Sequence, residues 1–330
     1  MRGAVDPFPV SVEDIRAAAF RLHGAAVRTP LLEFSDLNQR TGGRVFIKPE
    51  NLQVSGSFKF RGARNRISQL TESERRAGIV AWSSGNHAQG IAIAARLAGV
   101  NAAIVMPSDA PQIKIERTRA QDAEIVFYDR YTEDREAIGA KLAEERGAVL
   151  VPSYDDVHII AGQGTAGLEI AEDLSVLGLR PDVLLCCCGG GGLIAGSALA
   201  LRAFFPDVAV WAVEPEGFDD TARSLAAGER LQNDPSAKTI CDALMAPTPG
   251  HMTFEINRAV LAGGLAVSDD ETRAAIRYAA TELKLVAEPG GAVALAAALA
   301  GKLELAGKTA VVVISGGNID PELLAEILTF

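Results

Sequence analysis

Val183 to Leu201 reads VLLCCCGGGGLIAGSALAL, two apolar runs on either side of four consecutive glycines. The stretch is nearly long enough to cross a bilayer, but glycines at its centre would cripple a membrane helix. It reads instead as a buried strand, a glycine loop and a helix. Consecutive glycines let the backbone take positive φ and aim several N–H groups at one anion, and the dipole of the following helix adds partial positive charge. A tight turn needs only one or two glycines, so Gly189, Gly190, Gly191 and Gly192 point to a phosphate.

The same pattern spreads in both directions. Short β-branched or apolar runs at 45–47, 79–81, 102–106, 125–127, 208–213 and 310–314 read as buried parallel strands. Amphipathic or apolar helical patterns at 87–97, 132–145, 164–174, 193–205, 271–283 and 292–300 alternate with them. That alternation predicts an α/β protein with helices on both faces of a mainly parallel sheet. Ligands of such sheets sit beyond the carboxyl ends of the strands. Three loops fall there: Ser83-Ser84-Gly85-Asn86-His87, the tetraglycine, and Ser315-Gly316-Gly317-Asn318.

Bulk properties narrow the function. At 330 residues the chain suggests two domains. No linker marks a boundary, so the expectation is an intertwined pair, with 53–148 inserted as a small domain in a larger one made of 1–52 and 149–330. A net charge of -10 argues against nucleic acid or an anionic membrane as partner. Three of the four cysteines are consecutive, which suits neither a disulfide framework nor a zinc knuckle and predicts reduced thiols in a cytoplasmic protein. The first residues, MRGAVDPFPVSVEDIR, show no secretory signal.

Two readings compete for the glycine loop. Gly190-x-Gly192-x-x-Ala195, with Glu214 ending the next strand, fits the fingerprint of a nicotinamide dinucleotide oxidoreductase. That motif belongs to the first strand of its unit, whereas several strands precede it here, and it leaves the other two loops unexplained. The second reading turns on Lys59 in Ser55-Gly56-Ser57-Phe58-Lys59-Phe60-Arg61. A lysine becomes a nucleophile when apolar surroundings or a cationic neighbour lower its pKa, which Phe58, Phe60 and Arg61 could supply. Taken alone, the segment equally describes a surface lysine at the start of a helix.

Together, Lys48 to Ala63, Ser83 to His87, the tetraglycine, Glu288-Pro289-Gly290-Gly291-Ala292 and Ser315 to Asp320 resemble the threonine/serine dehydratase and serine racemase family of fold-type II pyridoxal 5'-phosphate (PLP) enzymes. The blocks follow the family's order over nearly the whole chain. The resemblance implies the tryptophan synthase β-like fold, a homodimer, and water and ammonia elimination from L-threonine, L-serine or a similar β-hydroxy amino acid. Serine racemisation and 3-hydroxyaspartate dehydration are the alternatives within the family. It implies Lys59 as the Schiff-base lysine and base at Cα, with Phe58 beside it, the four glycines around the cofactor phosphate, Asn86 on the phenolic oxygen and Ser315 on the pyridine nitrogen. Ser83, Ser84, Gly85, Asn86 and His87 match the loop that receives the substrate carboxylate, and Ser84 matches the base on the opposite face in racemases. Arg135 matches an arginine near bound dicarboxylates, although the acids around it equally suit an exposed helix face. Glu214, the Phe218 carbonyl and Asp220 offer hard oxygen ligands for Mg2+, Mn2+ or Ca2+, and the racemase branch has a matching set. Ala243 to Met252 matches no pattern and is expected to line the side-chain pocket. The end at Phe330 leaves no room for a C-terminal regulatory domain.

Overall fold

The structure, a computed structural model, describes residues 8–110, 112–129 and 131–329. Ten strands occur among them: β1 (Leu32–Glu33), β2 (Arg44–Pro49), β3 (Ile79–Trp82), β4 (Ala102–Pro107), β5 (Glu124–Tyr128), β6 (Val149–Leu150), β7 (Val183–Cys187), β8 (Ala209–Pro215), β9 (Gly263–Val267) and β10 (Thr309–Ile314). They form a six-stranded sheet in the order β1-β2-β10-β7-β8-β9 and a four-stranded sheet in the order β5-β4-β3-β6. Every pairing is parallel except β1 with β2. The result is the expected α/β architecture, with helices packed on each sheet.

The strands carry near-continuous apolar runs because parallel sheets are covered on both faces. All five residues of β7 are buried, as are the last five of β10. Strands β2, β7, β8 and β10 share one core with helices Val157–Val176, Gly192–Phe204 and Pro289–Leu299, while β3 and β4 build another with helices Lys59–Ile67 and Asn86–Ala98. Helices Val157–Val176 and Gly192–Phe204 cross through small residues, since a Cβ on Gly196 would lie 2.4 Å from the Ile160 carbonyl. That close crossing seats the glycine loop at the amino end of the second helix.

Strands β3, β7 and β10 end at the three loops singled out in the sequence, and all three loops line the same cavity. Among the described residues no helix is long and apolar enough to cross a membrane.

Candidate active site

A cavity of about 560 Å³ lies where these loops converge. Its walls include Phe58, Lys59, Ser83, Ser84, Gly85, Asn86, His87, Arg135, Gly189, Gly190, Gly191, Gly192 and Ser315. Residues as far apart in sequence as Phe58 and Ser315 are thus gathered in a space of ordinary ligand-site size.

Lys59 opens helix Lys59–Ile67. The strand-like approach to it is pinned to the last glycine loop: Ser57 bridges Gly316, and the Phe58 N–H donates to the Ser315 carbonyl at 3.0 Å. The amine donates to the Ser153 carbonyl at 2.8 Å, with Nζ 5.2 Å from the centre of the Phe58 ring. Burial pulls its pKa down to about 8, because a desolvated ammonium is costly. Arg61 plays no part in this, contrary to the expectation. It points away into a buried cluster with Glu50 and Glu169.

Helices Gly192–Phe204 and Asn86–Ala98 both open into the cavity without a side-chain cap. In Val157–Val176, by contrast, the Asp156 side chain satisfies the first N–H groups. Uncapped first turns leave donors for an anion. Neither Ser84 nor Asn86 caps the second of these helices, whose N-cap residue is Gly85. In the glycine loop, Gly191 holds φ +91°, and a Cβ on Gly190 would lie 2.2 Å from the Tyr154 ring. Side chains are excluded at both positions, for one by conformation and for the other by contact.

Asn86 sits in a buried amide chain. Its Nδ2 donates to Glu288 Oε1 at 2.5 Å, and its Oδ1 accepts from Asn318 Nδ2 at 2.7 Å. This fixes which way the amide faces and leaves one N–H on Nδ2 for a ligand oxygen. Glu288 itself is buried and lines the cavity; burial pushes its pKa up to about 7. His87 is buried with Nε2 3.0 Å from the Val151 carbonyl. Burial, with the nearby Lys59 charge, drives its pKa down to about 3, so the imidazole is neutral and Nε2 is the donor.

Arg135 is the first residue of helix Arg135–Arg146, which Asp134 caps. It is exposed and lines the cavity, and among the described residues no carboxylate pairs with it, whereas Lys114 in the same wall pairs with Asp242 at 2.6 Å. The unmatched stretch 243–252 folds as a loop and the start of helix His251–Val260, and most of it lines the cavity. Sequence reading gave no role to Glu288 and overlooked Tyr154, Lys114, Asp242 and Asn318, all of which face the same space. Glu288 and Asn318 stood inside motifs already noted, which was the available signal.

The acidic loop lies outside the cavity. Glu214 is fully buried and accepts from the N–H groups of Thr221 at 3.0 Å and Ala222 at 2.9 Å. A carboxylate committed in this way cannot clasp a ribose, which removes the dinucleotide reading. Burial and the neighbouring Asp220 raise the Glu214 pKa, while burial raises that of Asp220 to about 6. Asp220 Oδ1 accepts from Asn233 at 2.6 Å, but Oδ2 is buried without a partner. Among the described residues no three His, Cys, Asp or Glu side chains cluster as metal ligands.

An amine in an apolar niche, a glycine loop at an uncapped helix end, a free amide N–H and the buried Ser315 hydroxyl fit PLP. Comparison with known proteins agrees. The chain is 47% identical over 96% of its length to an L-threo-3-hydroxyaspartate ammonia-lyase of Pseudomonas sp, covering 98% of that protein. It is 42% identical to the serine racemase of Schizosaccharomyces pombe, covering 96% of this chain and 97% of that one. The structure of maize serine racemase superposes with a TM-score of 0.91 at 35% identity, covering 98% of both chains. Residues 22–316 match the family described as pyridoxal-phosphate dependent enzyme, and the chain belongs to that family.

Proposed function

We propose that this protein is a PLP-dependent ammonia-lyase whose substrate is a β-hydroxy amino acid with a second carboxylate, of the 3-hydroxyaspartate type. The observation that carries the choice is Arg135, a guanidinium in the cavity wall with no carboxylate partner among the described residues. Arg135 is exposed at the cavity mouth, where its guanidinium is free to meet an incoming carboxylate at two points. The name of the Pseudomonas relative favours the same substrate. L-Serine and L-threonine, which need no such receptor, are the rival substrates.

PLP, when bound, draws electrons from the substrate Cα. The residues around it divide the remaining work. Lys59 holds the cofactor and then takes the Cα proton; its lowered pKa leaves a large free-amine fraction near pH 8. N–H groups of Gly189 to Gly192 would hold the phosphate, Asn86 Nδ2 would donate to the phenolic oxygen, and the Ser315 hydroxyl would meet the ring nitrogen. The uncapped turn at Asn86, with Ser83, Ser84, Gly85 and neutral His87, receives the α-carboxylate. Small-domain residues 53–148 close over the site and exclude water.

Oxo-acid release should be measured with 3-hydroxyaspartate isomers, L- and D-serine and L-threonine. The expected order puts a 3-hydroxyaspartate isomer first. Arg135→Ala should raise its KM at least about tenfold more than that of serine. Equal losses on both substrates would remove Arg135 from the receptor.

Racemisation is the second reading, favoured by Ser84 in the cavity wall and by the Schizosaccharomyces pombe relative. If D-serine forms from L-serine, Ser84→Ala should cut that rate about 10²-fold while elimination from L-serine falls far less. A parallel fall would leave Ser84 with a positioning role only.

A divalent cation at Glu214, Asp220 and the Phe218 carbonyl completes the proposal. Its support is the burial of both carboxylates and an Asp220 Oδ2 with no partner among the described residues. Mg2+ would supply the missing charge and organise the loop. Chelation should then lower melting temperature and activity together, and Mg2+ should restore both; no change in either, with no metal by elemental analysis, rejects the site. A cytoplasmic homodimer is part of the same proposal, supported by four free cysteines for the compartment.

A further inference from the structure

Helix His251–Val260, whose first residue reaches the cavity wall, packs against the glycine loop. Asp155 holds its amino end by accepting from the N–H groups of His251, Met252 and Thr253. The Thr253 hydroxyl donates to the Gly190 carbonyl at 2.6 Å. In a trans peptide the carbonyl and the following N–H point in opposite directions. A Gly190 carbonyl drawn toward the helix therefore turns the Gly191 N–H away from that helix.

One turn on, Asn257 occupies the same helix face. It is fully buried, and neither Nδ2 nor Oδ1 has a hydrogen-bond partner. It presses on the same loop, since a Cβ on Gly191 would lie 2.7 Å from Asn257 Nδ2 and 3.1 Å from Thr253 Oγ1. Two unsatisfied buried groups cost stability that an apolar side chain of similar shape would recover. Such a residue makes sense where the folded chain uses it in a ligand-bound state.

We propose that Thr253 and Asn257 are positioning residues for the cofactor phosphate: they fix the Gly190–Gly191 peptide so that the Gly191 N–H faces the phosphate. Neither lines the cavity, so both act through the glycine loop. The inference needs only the cofactor that the family binds and is independent of the substrate.

The test compares PLP with pyridoxal, which lacks the phosphate. The full chain, stripped of cofactor, is titrated with each by absorbance, and melting temperatures are recorded without cofactor. Thr253→Val and Asn257→Leu should each lower PLP affinity about tenfold relative to pyridoxal affinity. Thr253→Ser keeps the hydroxyl and should retain the wild-type ratio. Asn257→Leu should melt no lower than wild type without cofactor, while still binding PLP more weakly, a combination that a purely structural asparagine would not give. An unchanged PLP-to-pyridoxal ratio in Asn257→Leu, or equal losses of PLP in Thr253→Ser and Thr253→Val, overturns the proposal.

Discussion

Lys59→Ala is expected to lower kcat by at least about 10³-fold while leaving a protein that still takes up PLP. The expectation separates two functions that meet at one residue. Covalent attachment and proton removal both need the amine, which sits in the cavity wall with its pKa near 8. On the proposed reading, grip on the phosphate would come instead from the glycine loop, and grip on the ring from Asn86 and Ser315, none of which depends on the lysine side chain. Borohydride reduction followed by mass spectrometry makes the distinction. Wild type should gain one cofactor mass on the peptide carrying Lys59, whereas the variant should gain none and release its PLP on dialysis. Cofactor fixed elsewhere in the variant, or turnover within tenfold of wild type, defeats the assignment.

The main fold and most of the cavity wall were legible in the sequence because each depends on local pattern. A run such as VLLCCC declares a buried strand, and the glycines after it declare a loop at its carboxyl end. What escaped notice has physical reasons. Strands β1 and β6 have two residues each, too short for any period, and β9 begins with two glycines. Asn86 meets Glu288 across 202 positions, a pairing that only the tertiary fold creates. Arg61 was read as a neighbour of Lys59 because it is two residues away. On a helix, positions i and i+2 face nearly opposite directions, so one side chain enters the cavity and the other the interior.

That interior position makes Arg61→Met the most damaging substitution expected away from the cavity, about 3–5 kcal/mol of folding stability. Arg61 is essentially fully buried and makes a two-point pair with Glu50, Nε to Oε2 and Nη2 to Oε1, both at 2.7 Å. It makes a second two-point pair with Glu169 at 2.7 and 2.8 Å. Lys48 Nζ closes the cluster on Glu169 at 2.6 Å, and the Thr29 hydroxyl donates to Glu50. Two positive and two negative charges therefore balance inside the protein. Burial opposes the charge on Arg61, but Glu50 and then Glu169 hold its pKa above the ordinary value. Removing the guanidinium strands two carboxylates with only Lys48 between them, and a buried uncompensated charge is what makes such a loss large. The exposed pair Arg76–Glu72 at 3.1 Å provides the contrast, and Arg76→Ala should cost under about 1 kcal/mol. The cluster ties β2, the helix that begins with Lys59 and helix Val157–Val176 together, so cofactor retention should fall with stability. Urea denaturation of wild type, Arg61→Met, Arg76→Ala and the double variant Arg61→Met/Glu50→Leu reads the effect. The double variant leaves Lys48 paired with Glu169 and should recover much of the loss, because apolar groups replace a buried ion pair at little net cost. Equal shifts for Arg61→Met and Arg76→Ala, or a double variant weaker than Arg61→Met, would show that charge balance is not what holds this junction.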